Sequence, residues 1–251
     1  MNTKLTSKQY WEKYYVKRYT ESNQIKTICG AYDDIWDKFI LSMDNAHKKN
    51  IIEIGAFPGR YISYLSNKYN LIPTALDYNS NTNIIKKSFT VMGVKRHNII
   101  CKDFTTLNID TRFDYVFSIG FIEHFLNYEK IMDNHLKLMK PRGRLLIMIP
   151  NKRGLRRLYG YLCDYENLKK HNLKCMDRNI FYSFAKKNNL KIIINEYVGG
   201  LQYSVHQKIN FVQKIIYKFA RLCALLFYRY IKKNPHWLYS ASLVAIFEKN
   251  E

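Results

Sequence analysis

Residues 50–77 read NIIEIGAFPGRYISYLSNKYNLIPTALD, and this stretch decides the fold of the chain. The apolar run that reaches Gly55 is typical of a buried parallel strand, and the turn from Gly55 to Gly59 ends it. Apolar residues then recur at helical spacing as far as Tyr69, and a second apolar run ends on Asp77. The stretch therefore predicts a strand, a glycine turn, a helix and a second strand with an acid at its tip.

The glycine turn and the acid suit a ligand that contains a nucleoside. A glycine turn lets the backbone approach a ligand closely, and the helix behind it directs unpaired N–H groups to the same place. A carboxylate at Asp77 can accept hydrogen bonds from both hydroxyls of a ribose. The alternative is an ordinary β-α-β crossover with a glycine at its bend, because glycine patterns have a real rate of false matches.

Beyond residue 77 the chain continues to alternate between helical and strand patterns. This alternation predicts a parallel sheet that is covered by helices on both faces. The segment Pro141-Arg142-Gly143 is expected to form a turn between a helix and a strand. The predicted helices cover 79–93, 128–139 and 177–189, and the further strands cover 97–101, 113–119, 144–149, 191–198 and 242–248.

The predicted organisation is one domain with helices in front and two insertions. Residues 1–47 are expected to be helical, and 48–251 to form the α/β domain, with insertions at about 151–174 and 201–238. Ser7 is a candidate cap of the first helix, and core packing of the aromatic stripe is favoured over a role as a lid. The apolar stripes of the two N-terminal helices are Tyr10, Trp11, Tyr14 and Tyr15, then Ile35, Trp36, Phe39, Ile40 and Met43.

The composition bounds the class of protein. Apolar residues make up 47% of the 251 residues, which is enough for a sizeable core. The formal net charge of +21 points to nucleic acid, an anionic membrane surface or a phosphorylated substrate, although a lysine-rich composition could raise it without any partner. The five cysteines form no C-x-x-C pair, which argues against a disulfide framework or a zinc site and favours a cytoplasmic location. The sequence shows no signal core and no membrane span.

Five short segments follow one another along the chain: Glu53-Ile-Gly55-Ala-Phe-Pro-Gly59-Arg60, Leu76-Asp77, Lys102-Asp103-Phe104, Phe113-Asp114-Tyr-Val-Phe-Ser-Ile-Gly-Phe-Ile-Glu123-His124-Phe125 and Leu138-Met-Lys-Pro141-Arg-Gly143-Arg-Leu-Leu-Ile. By the order and spacing of these segments together, the chain from about residue 45 to the end resembles the class I S-adenosylmethionine-dependent methyltransferases. The resemblance implies an α/β, Rossmann-like three-layer sandwich around a seven-stranded, mostly parallel sheet whose last strand is antiparallel.

The resemblance also implies S-adenosylmethionine as the cofactor and a role for each matching position. Glu53, Gly55 and Gly59 would form the loop that holds the methionine part. Asp77 would bind the ribose hydroxyls. Asp103 would accept from the adenine amino group. The remaining expected cofactor contacts are Ala56, Phe57, Tyr78, Phe104 beside the ring, and Ser118.

Phe57 departs from the family pattern, because the loop usually reads acid-x-Gly-x-Gly-x-Gly and Phe57 occupies the middle glycine. Its ring is expected to point away from the cofactor, under the loop. The rival assignment is a nicotinamide dehydrogenase. It requires G-x-G-x-x-G, which Gly55 to Gly59 does not match.

His124 is the candidate catalytic residue. It follows a predicted strand at the edge where the sheet opens toward ligands, and histidine is the commonest general base for a hydroxyl nucleophile. The alternative is that the Glu123-His124 pair caps a helix or orients the cofactor loop. Some relatives bind a divalent metal through E-x-x-E-H. Because Gly120 stands at the first acid here, no metal site is expected.

The insertions are expected to determine substrate specificity, as loops on a common fold usually do. Residues 140–191 carry 14 Lys+Arg against three acids, and 208–233 carry seven Lys+Arg and no acid. The second segment predicts a basic amphipathic helix that binds a membrane surface or an anion, or else a helix packed on the domain with a solvated face. Its predicted cationic stripe is Lys214, Lys218, Arg221, Arg229 and Lys232, opposite Phe211, Ile215, Phe219, Leu222 and Leu226.

These features predict O-methylation of an anionic small molecule, a glycan or a lipid-linked acceptor, peripheral to the inner membrane surface. RNA methylation is the first alternative, since the charge suits it. Against RNA, the sequence has no recognisable RNA-binding module and no Asn/Asp-Pro-Pro-aromatic segment after the strand that ends near residue 119. The non-enzymatic alternative is a degenerate methyltransferase fold that serves as a membrane adaptor. Its only support is Phe57.

Overall fold

The computed structural model describes residues 4–15, 21–40 and 49–250, without the side chains of residues 13–15. Its seven strands form one sheet in the order β3-β2-β1-β4-β5-β7-β6, in which β7 runs antiparallel to both of its neighbours. This confirms the predicted seven-stranded, mostly parallel sheet with an antiparallel last strand. The strands are β1 Asn50–Ile54, β2 Ile72–Asp77, β3 Asn98–Cys101, β4 Phe113–Ile119, β5 Met139–Pro150, β6 Leu190–Val198 and β7 Ser242–Lys249.

Helices cover both faces of the sheet, as the alternating pattern predicts. Successive strand residues point to opposite faces, so Ile51 and Ile52 belong to two different hydrophobic clusters. The described helices are α1 Lys8–Tyr15, α2 Ser22–Gly30, α3 Asp33–Ile40, α4 Arg60–Tyr69, α5 Thr82–Val91, α6 Tyr128–Lys137, α7 Gly154–Cys163, α8 Tyr165–Leu168, α9 Arg178–Lys187, α10 Phe211–Leu226 and α11 Tyr228–Lys233.

The predicted turn at Pro141-Arg142-Gly143 is a kink inside β5. Phe113 pairs with Met139 but Tyr115 pairs with Arg144, so the register shifts across this segment. A bulge of this kind lets a strand bend without ending. Gly143 is required there, because an added Cβ would lie 2.9 Å from the Lys140 carbonyl oxygen.

The N-terminal helices divide between the core and the ligand side of the domain. Trp36 and Phe39 of α3 are fully buried, which agrees with the predicted stripe. Ser7 caps α1, since its Oγ accepts from the Tyr10 N–H at 3.2 Å. Trp11 of α1 is only half-buried and lines a cavity, so the structure does not place it in the core. The predicted packing of Tyr14, Tyr15 and Met43 lies outside the described residues.

Both predicted insertions contain helices. Residues 151–174 show no clean periodicity in sequence but contain α7 and α8. The predicted amphipathic helix in 201–238 is broken at Phe227 into α10 and α11, so the five expected cations do not share one helix. Within the part of the chain that the structure describes, no helix is long and apolar enough to cross a membrane.

Candidate cofactor and acceptor site

A cavity opens at the carboxyl ends of β1, β2 and β4. Ligands bind at this edge in open α/β sheets, because the strand ends and the following loops leave a crevice there. The cavity contains most of the expected site residues. Gly59 and Ser118 do not line it, whereas Glu53, Gly55, Ala56, Phe57, Asp77, Tyr78, Asp103, Phe104 and His124 do.

The turn after β1 is tightly enclosed. Gly55 has φ +72°, and an added Cβ would lie 2.5 Å from the Phe121 ring. No side chain fits there, so glycine is required by both conformation and space. The amides of Gly55 and Ala56 donate to the Leu76 carbonyl at 2.9 and 3.1 Å. These two N–H groups therefore hold the turn against β2 instead of pointing freely at a ligand.

Gly59 and Ser118 lie outside the cavity lining and contact neighbouring helices. Gly59 has φ +91° at the start of α4, and an added Cβ would lie 3.2 Å from both Ile85 and Ser88. It therefore allows α4 to pack closely on α5. Ser118 is buried in β4, with its Oγ 3.0 Å from His135 Nε2.

Glu53 links β1 to α4. Its Oε2 accepts from the Ile62 N–H at 2.9 Å, which satisfies one of the unpaired amides in the first turn of that helix. The side chain is buried, and burial raises the pKa of Glu53 well above its usual value, while the Ile62 hydrogen bond opposes the rise. Glu53 thus positions the start of α4 beneath the cavity.

Asp77 is fixed by the backbone around it. One carboxylate oxygen accepts from the Phe57 N–H at 3.0 Å, and the other accepts from the Asn79 N–H at 2.8 Å. Burial raises the pKa of Asp77, and these amide hydrogen bonds oppose the rise. A carboxylate can accept about four hydrogen bonds, so acceptor capacity remains for a ligand hydroxyl.

Asp103 lies at the tip of the loop after β3. Its carboxylate accepts from the Thr105 N–H at 3.0 Å and from the Lys4 ammonium. Burial would raise the pKa of Asp103, but the hydrogen bonds from Lys4 and Thr105 outweigh it and lower the pKa. An adenine amino group at this position would share the carboxylate with Lys4.

The Phe57 side chain is largely buried in the hydrophobic cluster on the α4 side of the sheet. Its peptide bond to Pro58 is cis. Because the residue also lines the cavity, its ring belongs to the wall at the junction of cavity and core.

His124 lies in the turn after β4 and lines the cavity. Its Nδ1 is 2.8 Å from the Lys170 carbonyl oxygen, which assigns the proton to Nδ1 and leaves a lone pair on Nε2. The Trp11 ring meets the imidazole edge-on, with centroids 4.9 Å apart. Burial lowers the pKa of His124 to about 4, so the ring is neutral at physiological pH.

Glu123, His124 and His171 bring three potential ligand atoms within 4.8 Å of one another, and in the described ranges these residues form the group that could hold a metal ion. Burial raises the pKa of Glu123 to about 8, and burial together with His124 lowers the pKa of His171 to about 2. His171 Nδ1 is 2.7 Å from the Asn167 carbonyl oxygen, so its Nε2 is also an acceptor. Either a cation or a shared proton would satisfy these converging acceptors.

The sequence did not indicate His171, because it lies 47 positions after His124 and shares no motif with it. The segment that contains α8 folds back onto the turn after β4, where the Asn172 N–H donates to the Glu123 carbonyl at 2.7 Å. The cluster with His171 is thus a product of tertiary structure.

The start of the chain covers one side of the cavity. The Leu5 N–H donates to the His124 carbonyl at 2.8 Å, and Lys4 forms an antiparallel bridge with Phe125. Lys4, Thr6 and Trp11 consequently line the cavity. The sequence indicated a helix here but not its position, since no local pattern reports which surface a terminal segment covers.

A family model described as a methyltransferase domain matches residues 24–194, which is more than half of the chain. The chain belongs to the class I S-adenosylmethionine-dependent methyltransferases. The protein is therefore a methyltransferase with S-adenosylmethionine as its cofactor, as the resemblance implies. The matched range includes β1, the glycine turn, Asp77, Asp103 and His124.

Solved structures similar to this methyltransferase include three with low sequence identity. A protein described as a sarcosine dimethylglycine methyltransferase from Galdieria sulphuraria has a TM-score of 0.60 at 14% identity, covering 97% of this chain and 98% of that one. The N-methyltransferase NodS from Bradyrhizobium japonicum, in complex with S-adenosyl-L-homocysteine, has 0.60 at 11%, covering 98% and 100%. Coclaurine N-methyltransferase has 0.57 at 13%, covering 87% and 72%. At these identities the likeness shows the fold. No curated protein matches the chain.

Proposed function

We propose that this methyltransferase transfers the methyl group to an oxygen of an anionic small molecule, glycan or lipid-linked acceptor at the inner membrane surface. The observation that carries the proposal is a neutral histidine, His124, in the cavity wall. Its Nε2 is an acceptor, its ring is neutral, and the residue lines the cavity. A hydroxyl nucleophile needs such a base in or near the transition state.

The expected cofactor contacts follow from the cavity. The Asp77 carboxylate retains acceptor capacity for a ribose hydroxyl, and Asp103 with the neighbouring Phe104 suits the adenine. Gly55 brings the turn against the Phe121 ring, which also lines the cavity. When bound, S-adenosylmethionine supplies an electrophilic methyl group on a sulfonium. The protein's contribution is to align the acceptor oxygen with it and to exclude water.

Cations near His124 support an anionic substrate. Besides burial, the charges of Lys152 and Lys170 lower the pKa of His124, so both cations lie near its ring. Beyond His124, burial together with the charge of Arg156 lowers the pKa of Lys152 to about 8. An acceptor with a phosphate or carboxylate group would balance this charge and place its hydroxyl near His124.

Two of the three similar structures are N-methyltransferases, so the test must distinguish oxygen from nitrogen acceptors. The purified protein would be incubated with S-adenosylmethionine labelled in the methyl group and with extract fractions of nucleic acid, membrane lipid and small anions. We expect alkali-sensitive or ether-linked label in the lipid or small-anion fraction. Label in RNA that ribonuclease releases would support the first alternative, and label on an amine would replace the oxygen assignment. Family membership favours catalysis over the adaptor alternative.

A further inference from the structure

Helix α10 presents its apolar side to solvent. None of its 16 residues is buried, although it carries Phe, Leu, Ile and Val throughout. Its inner side is only half-buried and consists of Gln213, Ile216, Tyr217, Ala220, Cys223 and Ala224. The most exposed apolar side chains are Phe211 at 76%, Leu225 at 72%, Leu226 at 70%, Phe219 at 66% and Val212 at 62%.

Helix α7 extends the same surface. Gln213 of α10 donates to the Leu162 carbonyl at 2.7 Å, and Cys163 donates to the Gln213 carbonyl at 3.7 Å, so the two helices lie side by side. We call their exposed apolar side chains the α7–α10 face. Besides the residues of α10, which include Ile215 at 53% and Leu222 at 52%, this face contains Leu155, Leu158, Tyr161 and Leu162 of α7.

Cations border this face instead of lying opposite to it, which corrects the predicted arrangement. At about 100° per residue, Lys214, Lys218 and Arg221 project within about 60° of one another along one edge of the exposed arc. All three are exposed, and Arg157 is exposed on α7. No acidic residue occurs in the sequence between Glu196 and Glu248.

We infer that the α7–α10 face docks on an anionic lipid bilayer, with its apolar side chains at the acyl boundary and its bordering cations on the headgroups. Exposed aliphatic side chains gain from contact with hydrocarbon, whereas single-stranded RNA is bound by aromatic stacking and cations. A second copy of the chain would bring two sets of cations together, each on a protein of net charge +21. The inference gives a physical basis to the membrane location in the proposed function but does not depend on the methyl acceptor.

The first measurement is sedimentation of the full chain with vesicles of phosphatidylcholine, with and without phosphatidylglycerol. We expect binding to the anionic vesicles and little to the neutral ones. Raising NaCl from about 0.01 M to about 1 M shortens the Debye length from about 30 Å to about 3 Å, so binding should fall steeply. Failure to bind anionic vesicles at low salt, with or without tight binding of structured RNA, would overturn the inference.

Matched variants distinguish binding through the α7–α10 face from attraction by the net charge of the whole protein. Each interfacial cation contributes roughly three- to tenfold in affinity, so replacing Lys214, Lys218 and Arg221 with glutamine should weaken binding about a hundredfold. The control replaces three exposed lysines near the other edge of the sheet with glutamine and should change vesicle binding less than threefold. These lysines are Lys86, Lys87 and Lys95. Equal losses in both variants would show that net charge alone attracts the protein, and would overturn the inference.

A third variant tests the apolar side chains. Replacing Phe219, Leu222 and Leu226 with glutamine should abolish vesicle binding while thermal unfolding and S-adenosyl-L-homocysteine affinity stay unchanged, because none of the three is buried. If that variant does not fold, Phe211→Asp serves instead, since an acid in the first turn of a helix is favourable. Full binding by a folded variant of either kind would contradict insertion of the face.

Discussion

Helices α4 and α10 both repeat apolar residues at helical spacing, yet one covers its apolar side and the other exposes it. In α4, Ile62 and Leu65 are fully buried between the sheet and its neighbours. In α10, Leu222 is 52% exposed, although the local pattern is the same. The difference shows that amphipathicity predicts a helix but not what covers its apolar side. In α4 the cover is the domain core, and for α10 we propose a bilayer.

The largest expected effect is on catalysis. We expect the catalytic residue at the strand ends beside α4, and not on the exposed helix α10. His124→Ala should lower turnover by roughly 10²–10⁴-fold and leave cofactor affinity intact, because it removes the proton acceptor. The pKa of His124 in the folded protein is about 4, so the ring loses its proton as pH rises through about 4. The methyl-transfer rate of the wild-type protein should therefore rise through about pH 4 and stay constant near neutrality.

The measurement is single-turnover methyl transfer together with calorimetry of S-adenosyl-L-homocysteine. His97→Ala is the control, since His97 stacks on Phe89 away from the cavity. Parallel losses of cofactor affinity and rate in His124→Ala would support the alternative in which His124 only orients the loop.

The second expected effect is on stability and compares the two helices directly. Leu65→Ala should lower the free energy of unfolding by about 2–5 kcal/mol, because it leaves a cavity in the core. Leu222→Ala should change it by less than about 0.5 kcal/mol, because its side chain is already exposed. Urea unfolding measures both. A large loss in Leu222→Ala would mean that α10 is covered by protein in solution.

The third effect concerns Asp77, the last residue of β2. Asp77→Ala should weaken both S-adenosylmethionine and its demethylated product by roughly 1–3 kcal/mol, as expected for loss of a charged acceptor. Calorimetry measures this, with the exposed Asp110→Ala as control. Unchanged affinity in a folded Asp77→Ala protein would remove the ribose assignment.

The smallest effect is expected at Phe57, where the core and the cavity share a wall. Phe57→Gly should keep cofactor affinity within about tenfold, or about 1.4 kcal/mol, because the ring is largely buried in the cluster. A structure with bound cofactor provides the second check. A Phe57 ring stacked on the ligand would make this residue part of the binding site.

Local patterns predicted the elements around the site well. The run from Asn50 to Asp77 gave the strand, turn, helix and strand that the structure contains, because periodicity and glycine conformation act over a few residues. The same patterns indicated helices at Ser7 and Asp33. They did not show that the turn amides of Gly55 are already paired with Leu76, since that pairing joins two strands.

The sequence by itself determined the alternation of strands and helices, and its resemblance to the methyltransferases implied the antiparallel last strand and the candidate roles of Asp77 and Asp103. Only the tertiary structure brought His171 to His124, laid Lys4 on Asp103 and turned the apolar side of α10 outward. The physical reason is range. Helical and strand periods, turns and caps are set by neighbours in the chain, whereas the partner of a side chain depends on which distant segments the packed sheet brings together.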